Sequence, residues 1–335
     1  MISFEKSYQP VACRRSAGGI YLIMQGKAKK YSTTKIMMTT VVTVTLYGGS
    51  EEILEGAIGL CESYEKLFSR TVPSSDISNI NKSGGAATAV SPDTAGLINK
   101  GLEISLRSGG AFDITVLPLS LLWDVQHSAA PPDDASVKDA LKAVGFENVS
   151  VNGNEVTLKN DASIDLGGIA KGYIADKVAE YLRSEGVKSA VINLGGNVVV
   201  LGEKSGKPYT VGIQKPFAGQ GEAMLTLALS DKTAVTSGIY ERYFEYDGKI
   251  YHHIIDPATG KPSESDVASV TVICDSSCIA DGLSTACLVL GAEKSAELLK
   301  SYGAEAVFIN RNGEYSVTDG LTVDTTGTLP MIALK

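Results

Sequence analysis

An α+β fold built mainly from antiparallel sheets is what this sequence predicts, on three observations. Strand-like segments occur in runs interrupted by helices, which favours this class over a doubly wound parallel sheet. Tight hairpin signals join several of those segments, at Asn152-Gly153, Asp247-Gly248 and Asn312-Gly313. The helical patterns have clear start and stop residues.

In chain order, residues 41–47 (VVTVTLY) alternate β-branched residues with threonine, the pattern of a strand with one buried face, and Gly48-Gly49 ends it. Ser50 caps a helix with an acidic first turn, Glu51 and Glu52, in which Ile53, Ala57, Leu60, Tyr64 and Leu67 keep helical spacing. A second helix starts at Ser91 with Pro92 in its first turn, carries Leu97, Ile98, Gly101 and Leu102 on one side, and stops at Gly109-Gly110. The run Pro131-Pro132-Asp133-Asp134 is a surface connection into a short helix reaching Val144, an internal excursion and not a domain boundary. From Asp165 the order is strand, glycine turn, a helix over residues 171–185 stopped by Gly186, the strand Ala190–Leu194 and then Gly195-Gly196. Another helix covers Ser277–Leu290, between the last two hairpins.

The 335 residues, 44% hydrophobic and 20% charged, suffice for a large core. Single cores stop growing at roughly 250–300 residues, so the length fits one large domain or two closely packed ones. A net charge of -8 with scattered Lys and Arg argues against a nucleic-acid partner, which demands a basic patch. Cys13, Cys61, Cys274, Cys278 and Cys287 form neither an even-numbered framework nor a CxxC pair and read as small buried hydrophobes. No run approaches the ~20 apolar residues that span a bilayer. Residues 1–30 hold two short apolar patches but no signal-peptide core of about 7–15 residues behind a basic start.

Four segments carry chemistry. Residues 165–172 (DLGGIAKG) bring a strand-like approach into a glycine turn that opens a helix, exposing backbone N–H groups to an anion. Residues 193–197 (NLGGN) place a second glycine turn at the same sheet end if the strands are neighbours. Residues 251–260 (YHHIIDPATG) lead a histidine into an Asp-Pro turn, where it can act as acid, base or phosphate ligand. Asp281 and Thr285 stand four apart on one helical face, hard oxygen donors suited to Mg²⁺. Taken singly these are also a plain turn, an edge-strand histidine, or a helix carboxylate favoured by the macrodipole. Together they are the parts of a pyrophosphate site and point to phosphoester chemistry.

In this order the four segments resemble the ApbE family of FAD:protein FMN transferases. Further family-like features are Met38-Thr-Thr-Val, residues 69–81 (SRTVPSSDISNIN), Phe112-Asp113-Ile-Thr115 with Pro118, Leu119 and Trp123, and Thr236-Ser237-Gly238 before Arg242. The resemblance runs from about Lys35 to Val317. It implies a T-fold-like architecture over residues 35–320, with 1–34 an N-terminal extension and 321–335 a tail. It also implies Mg²⁺ on the Asp281 carboxylate, the Thr285 hydroxyl and a backbone carbonyl at Gly168. Met38, Thr71, Ala111, Phe112, Asp113, Lys171, Ser237, His253 and Ile255 would line the FAD site, with Lys171 as the phosphate contact. Thr71 stands where many members carry an aromatic residue that contacts the flavin or adenine.

The implied activity is Mg²⁺-dependent transfer of FMN from FAD to a Thr or Ser hydroxyl of an acceptor flavoprotein, with AMP released. His253 would assist proton transfer and Asp256 order its turn. The same residues would serve an Mg²⁺-dependent FAD pyrophosphatase. A non-catalytic FAD-binding or storage protein is the alternative from another class, and the joint presence of Asp281, Thr285 and His253 argues against it. Bacterial members are commonly exported lipoproteins; without a signal-peptide core or a convincing lipobox at Cys13, the sequence by itself reads as cytoplasmic. The segment Asp324-Thr-Thr-Gly327-Thr328 loosely resembles acceptor sequences, but its flanking residues do not fit self-modification.

Overall fold

Side chains two apart share one face of a strand. In Ala190–Leu194 and Asn197–Leu201 this sends Ile192, Leu194, Val199 and Leu201 to one side and Val191, Val198 and Val200 to the other. Both faces are apolar, so both must be covered. The computed structural model, which describes residues 29–219 and 221–325, shows how. Its centre is an eight-stranded antiparallel sheet in the order Lys30–Met37, Thr40–Tyr47, Ala190–Leu194, Asn197–Leu201, Lys232–Gly238, Val267–Cys274, Glu305–Asn310 and Tyr315–Val317.

Among the described residues the α-helices are α1 (Glu51–Phe68), α2 (Asp76–Lys82), α3 (Pro92–Arg107), α4 (Leu117–Trp123), α5 (Asp134–Ala140), α6 (Ala170–Ser184), α7 (Ser277–Leu290) and α8 (Ala292–Ser301). α1, α6, α7 and α8 pack on one face of the sheet. There Val44, Val178, Val235, Val272, Leu283 and Phe308 belong to the largest core cluster. A three-stranded sheet of Tyr209–Gln214, Ala223–Leu229 and Asp324–Thr325 covers the other face, bringing Ile213, Leu225 and Leu227 against Ala234, Ile273 and Val307. Val267–Cys274, covered from both sides, is buried along its whole length. A third cluster joins α4 and α5 to the turn after His253 through Leu119, Trp123, Val137 and Ile255, with Trp123 Nε1 donating to the Gly260 carbonyl at 2.8 Å.

The contact between α6 and α7 positions the site. A β-carbon at Gly172 would collide with the Ser277 carbonyl, so only glycine lets the two helices approach this closely. Asp176 of α6 accepts from the N–H groups of Ser277 (2.7 Å) and Cys278 (3.0 Å) and from the Ser276 hydroxyl (2.7 Å). These satisfy donors that the start of α7 would otherwise leave unpaired.

Most elements stand where the sequence places them, and four do not. Residues 162–166, expected as a strand leading into the glycine turn, pair with no strand and form no regular element. The loop between Val149–Asn152 and Glu155–Leu158 is Gly153-Asn154, one residue later than expected, with Gly153 at φ +57°. Lys30–Met37 is a strand, so the expected boundary at residue 34 falls inside an element; its polar, half-exposed sequence KYSTTKIM carries no apolar period. Asp324–Thr325 pairs with Ala223–Leu229, so the start of the tail belongs to the small sheet. Cys13, residues 1–28 and residues 326–335, which include Thr328, lie outside the described residues. Cys61, Cys274, Cys278 and Cys287 are free and buried. Among the described residues no helix is long and apolar enough to cross a membrane.

Candidate active site

Asp281 and Thr285 lie one turn apart on α7. Asp281 is only 4% exposed and sits in the second turn, inside the helix. Its Oδ2 accepts the Gly172 N–H at 2.9 Å, and its Oδ1 lies 3.6 Å from the Lys171 ammonium. Thr285 Oγ1 is 3.4 Å from Ser237 Oγ, which is 2.7 Å from Ser284 Oγ. Gly168 faces this group: a β-carbon on it would be 3.7 Å from Thr285 Oγ1 and 3.1 Å from the Phe112 ring. Gly168, Phe112, Ser237 and Thr285 are thus brought together, with Asp281 and Lys171 one turn away.

A nearly buried carboxylate needs a counter-charge. Lys171 supplies it here, since its ammonium lies between Asp281 Oδ1 and the Gly167 carbonyl, to which it donates at 3.1 Å. That geometry marks a position suited to a cation. Among the described residues no three His, Cys, Asp or Glu side chains gather to hold a metal. A metal at this place would rest on one carboxylate, hydroxyls and main-chain carbonyls, the hard oxygen set that suits Mg²⁺. The residues present fit the ion.

His252 and His253 are adjacent and differently wired. His252 is 1% exposed; its Nε2 lies 3.0 Å from the Ser263 carbonyl and its Nδ1 accepts the Ile254 N–H at 3.3 Å. A carbonyl only accepts, so the proton sits on Nε2 and the ring is neutral. Burial pushes its pKa down to about 4. His253 is half-buried, and its Nδ1 lies 3.2 Å from the Arg242 carbonyl. By the same reasoning the proton is on Nδ1, and Nε2 keeps its lone pair. One part of the ring stays open to solvent, yet desolvation, and next the Arg242 guanidinium, push its pKa down to about 3.

Arg70 Nε pairs with Asp165 Oδ2 at 3.0 Å, while Asp165 Oδ1 accepts the Gly167 N–H at 2.8 Å. The charge of Arg242 is felt at both Asp165 and His253, and that of Lys171 at His253. Three cations therefore surround the glycine turn, as an anion site requires. Of these groups, sequence reasoning singled out only Lys171. Arg70 and Asp165 stood inside quoted segments, Arg242 was named only as the residue that follows Thr236-Ser237-Gly238, and nothing local showed that distant parts of the chain converge there.

The remaining expected residues fall into two kinds. Met38 and Thr39 form the two-residue turn between the first two strands, at φ +51° and +56°, a left-handed conformation that is costly for residues other than glycine. Glu65 holds the turn, its Oε1 accepting the Met38 N–H at 2.8 Å. Gly195 lies against Thr40 and donates to the Val41 carbonyl at 3.1 Å, so the second glycine turn lies at the Met38 end of the sheet. Thr71 is exposed beside Arg70, its hydroxyl 3.0 Å from Ser69 Oγ.

Ala111 and Phe112 are buried, whereas two other side chains are committed to structure. Asp113 accepts from the N–H and hydroxyl of Thr115 (2.8 and 2.7 Å) and the N–H of Phe146 (2.9 Å), and burial pushes its pKa up. Ile255 points into the third cluster with Leu119 and Trp123. Each can serve a ligand through the course of its main chain, not through its side chain. Asp256 accepts the Ala258 N–H at 2.9 Å and orders its turn, as expected.

A locked carboxylate beside three cations around a glycine turn suits a phosphoester chain, and a neutral histidine with a free nitrogen adds a proton acceptor. Such a grouping has the chemistry that phosphoryl-group transfer uses. The ApbE family model matches residues 38–308, and the chain belongs to that family. An FAD:protein FMN transferase of Klebsiella pneumoniae is 35% identical over 288 residues, 84% of this chain and 90% of that one. One of Treponema pallidum is 35% identical over 310 residues, 85% of this chain and 86% of that one. Among solved structures, the ApbE protein of Thermotoga maritima superposes with a TM-score of 0.80 at 30% identity, covering 87% of this chain and 98% of that one. The flavin transferase ApbE of Vibrio cholerae does so at 0.77 and 27% identity, covering 90% and 98%. The expected class, helices with mainly antiparallel sheet, is the architecture these structures share.

Proposed function

We propose that this protein is an FAD:protein FMN transferase, moving FMN from FAD to a Thr or Ser hydroxyl of an acceptor flavoprotein and releasing AMP. The observation that carries the reading is the placement of the free Nε2 of His253 among the charges of Arg242 and Lys171, at the glycine turn that also meets Thr285. Curated relatives over most of the chain carry that activity in their names.

Arg70, Lys171 and Arg242 bind the pyrophosphate of FAD, and the N–H groups of the 165–172 turn orient it. Mg²⁺, held by Asp281, Thr285 and the Gly168 carbonyl, would supply neutralisation of the phosphate charge. The acceptor oxygen forms a bond to the FMN-side phosphorus as the bond from that phosphorus to the bridging oxygen breaks; the bridging oxygen leaves with AMP. The hydroxyl proton passes to His253 Nε2, while the Arg242 carbonyl keeps the ring in the required tautomer. Negative charge brought by the substrate raises the His253 pKa toward neutrality, which makes it a better base in the complex than in the free protein.

The test is incubation with FAD, Mg²⁺ and an acceptor domain bearing a threonine, read by intact mass and by chromatography of AMP. Transfer predicts an FMN mass gain and AMP that both require acceptor and Mg²⁺. AMP without adduct would make the protein a pyrophosphatase, and neither product a binding protein.

A further inference from the structure

We propose that the ring cluster of Phe217, Tyr240 and Tyr243 is the surface on which the acceptor polypeptide docks, an apolar side chain next to the modified hydroxyl seating on the Phe217 ring. This rests on the transferase reading above. The cluster is contiguous with the reacting groups at both ends. Tyr240 lies over Gly238, where a β-carbon would be 2.6 Å from its ring, and Ser237 immediately precedes. Phe217 sits 5.8 Å, centroid to centroid, from both Tyr240 and Tyr243. Tyr243 pairs in register with His252, and Arg242 beside it holds His253 through its carbonyl. The rings therefore form a continuous path from the neighbours of Thr285 to His253.

Tyr240 is half-buried at the base of the cluster, and the two outer rings are presented to solvent. Phe217 is 48% exposed and Tyr243 39%. Phe217 also adopts φ +59°, a conformation that bulky residues avoid, in a loop closed by the Lys215 N–H to the Glu222 carbonyl at 2.9 Å. A strained backbone that holds a large apolar ring in water gains nothing for folding, and such outliers gather where a ligand is clamped. The phosphate side of the site is taken by Arg70, Lys171, Arg242 and the glycine turn. A protein whose hydroxyl must reach His253 Nε2 has to cover the surface beyond that ring, and there Tyr243 and Phe217 stand. Aromatic side chains are the usual anchors of such contacts.

The experiment measures acceptor KM and kcat, and FAD affinity by flavin fluorescence, in Phe217→Ala, Tyr243→Ala and the double variant. Phe217→Gly removes the ring while easing the backbone, and Tyr246→Ala changes an equally exposed ring outside the cluster. The expected result is an acceptor KM raised about tenfold for Phe217→Ala and for Phe217→Gly, and further in the double variant. FAD affinity and kcat at saturating acceptor should stay within about twofold, and Tyr246→Ala should match wild type. Unchanged acceptor KM in the double variant overturns the proposal. So does a loss of FAD affinity with acceptor KM unchanged, which would assign the rings to the flavin. Absence of any adduct with the wild-type protein would instead strike the transferase reading itself.

Discussion

The helical wall of the site and its loop rim hold their side chains by opposite means. On the wall, Asp281 is buried, one carboxylate oxygen fixed by the Gly172 N–H and the other facing Lys171, on two helices in contact at a glycine. The start of α7 is itself secured by Asp176. On the rim, His253 is half-buried and hangs from one main-chain carbonyl, Arg242 is exposed, and Phe217 stands in water. The difference teaches what each region must do. A cation and a pyrophosphate need oxygens and charges at fixed positions, which packed helices provide. A protein substrate must enter and leave, and that requires an open edge.

If the wall is the fixed centre, the largest effect belongs there. Asp281→Ala should lower FMN transfer on the order of 10³-fold, since it removes the carboxylate from the proposed cation site. The fold should survive. Deleting a buried charge offsets part of the cost of leaving the Gly172 N–H unpaired, and the net loss should be about 1–3 kcal/mol in a denaturant titration. Wild-type transfer rates in this variant would break the distinction between wall and rim at its strongest point.

On the rim, His253→Ala should reduce kcat by about 10²–10⁴, the range of a lost general base. FAD should still bind, because the phosphate contacts come from Arg70, Lys171, Arg242 and the glycine turn, all of which the variant keeps. Should FAD affinity collapse along with kcat, His253 would be a binding residue and the rim would share the wall's role.

The wall was also the more legible region. The spacing of Asp281 and Thr285 puts both on one helical face, and the glycines of residues 165–172 announce a turn that exposes backbone N–H groups, so local pattern alone carries them. The rim and the sheet end depend on convergence between remote residues. Arg70 meets Asp165, and Glu65 meets the Met38 N–H, across folds of the chain that no period encodes. The Met38-Thr39 turn lacks the glycine or asparagine that usually marks a two-residue hairpin, so the strand before it stayed hidden. Asp113 and Ile255 show the converse limit. Their positions near the site were readable, but the direction of each side chain is set by Thr115 and Phe146 in one case and by Trp123 and Leu119 in the other.

The smallest expected effect separates the two adjacent histidines. His252 is folded as a neutral ring with both nitrogens engaged, and its pKa lies at about 4 against 6.5 for the free side chain. The unfolded chain therefore takes up a proton at higher pH than the folded one, so stability from this group is complete above pH 6.5 and is lost as the pH falls toward 4. The loss is at most about 3 kcal/mol at one pKa unit per 1.36 kcal/mol. His253 is shifted in the same direction, but its ring is partly solvated and its share should be smaller. Urea titrations at pH 7.5 and 4.5 should show wild type losing more stability than His252→Gln, and His253→Gln losing almost as much as wild type. Equal losses in wild type and His252→Gln would mean that the ring is protonated or solvated in the folded protein, and the division between a structural histidine in the core and a chemical one at the rim would fail.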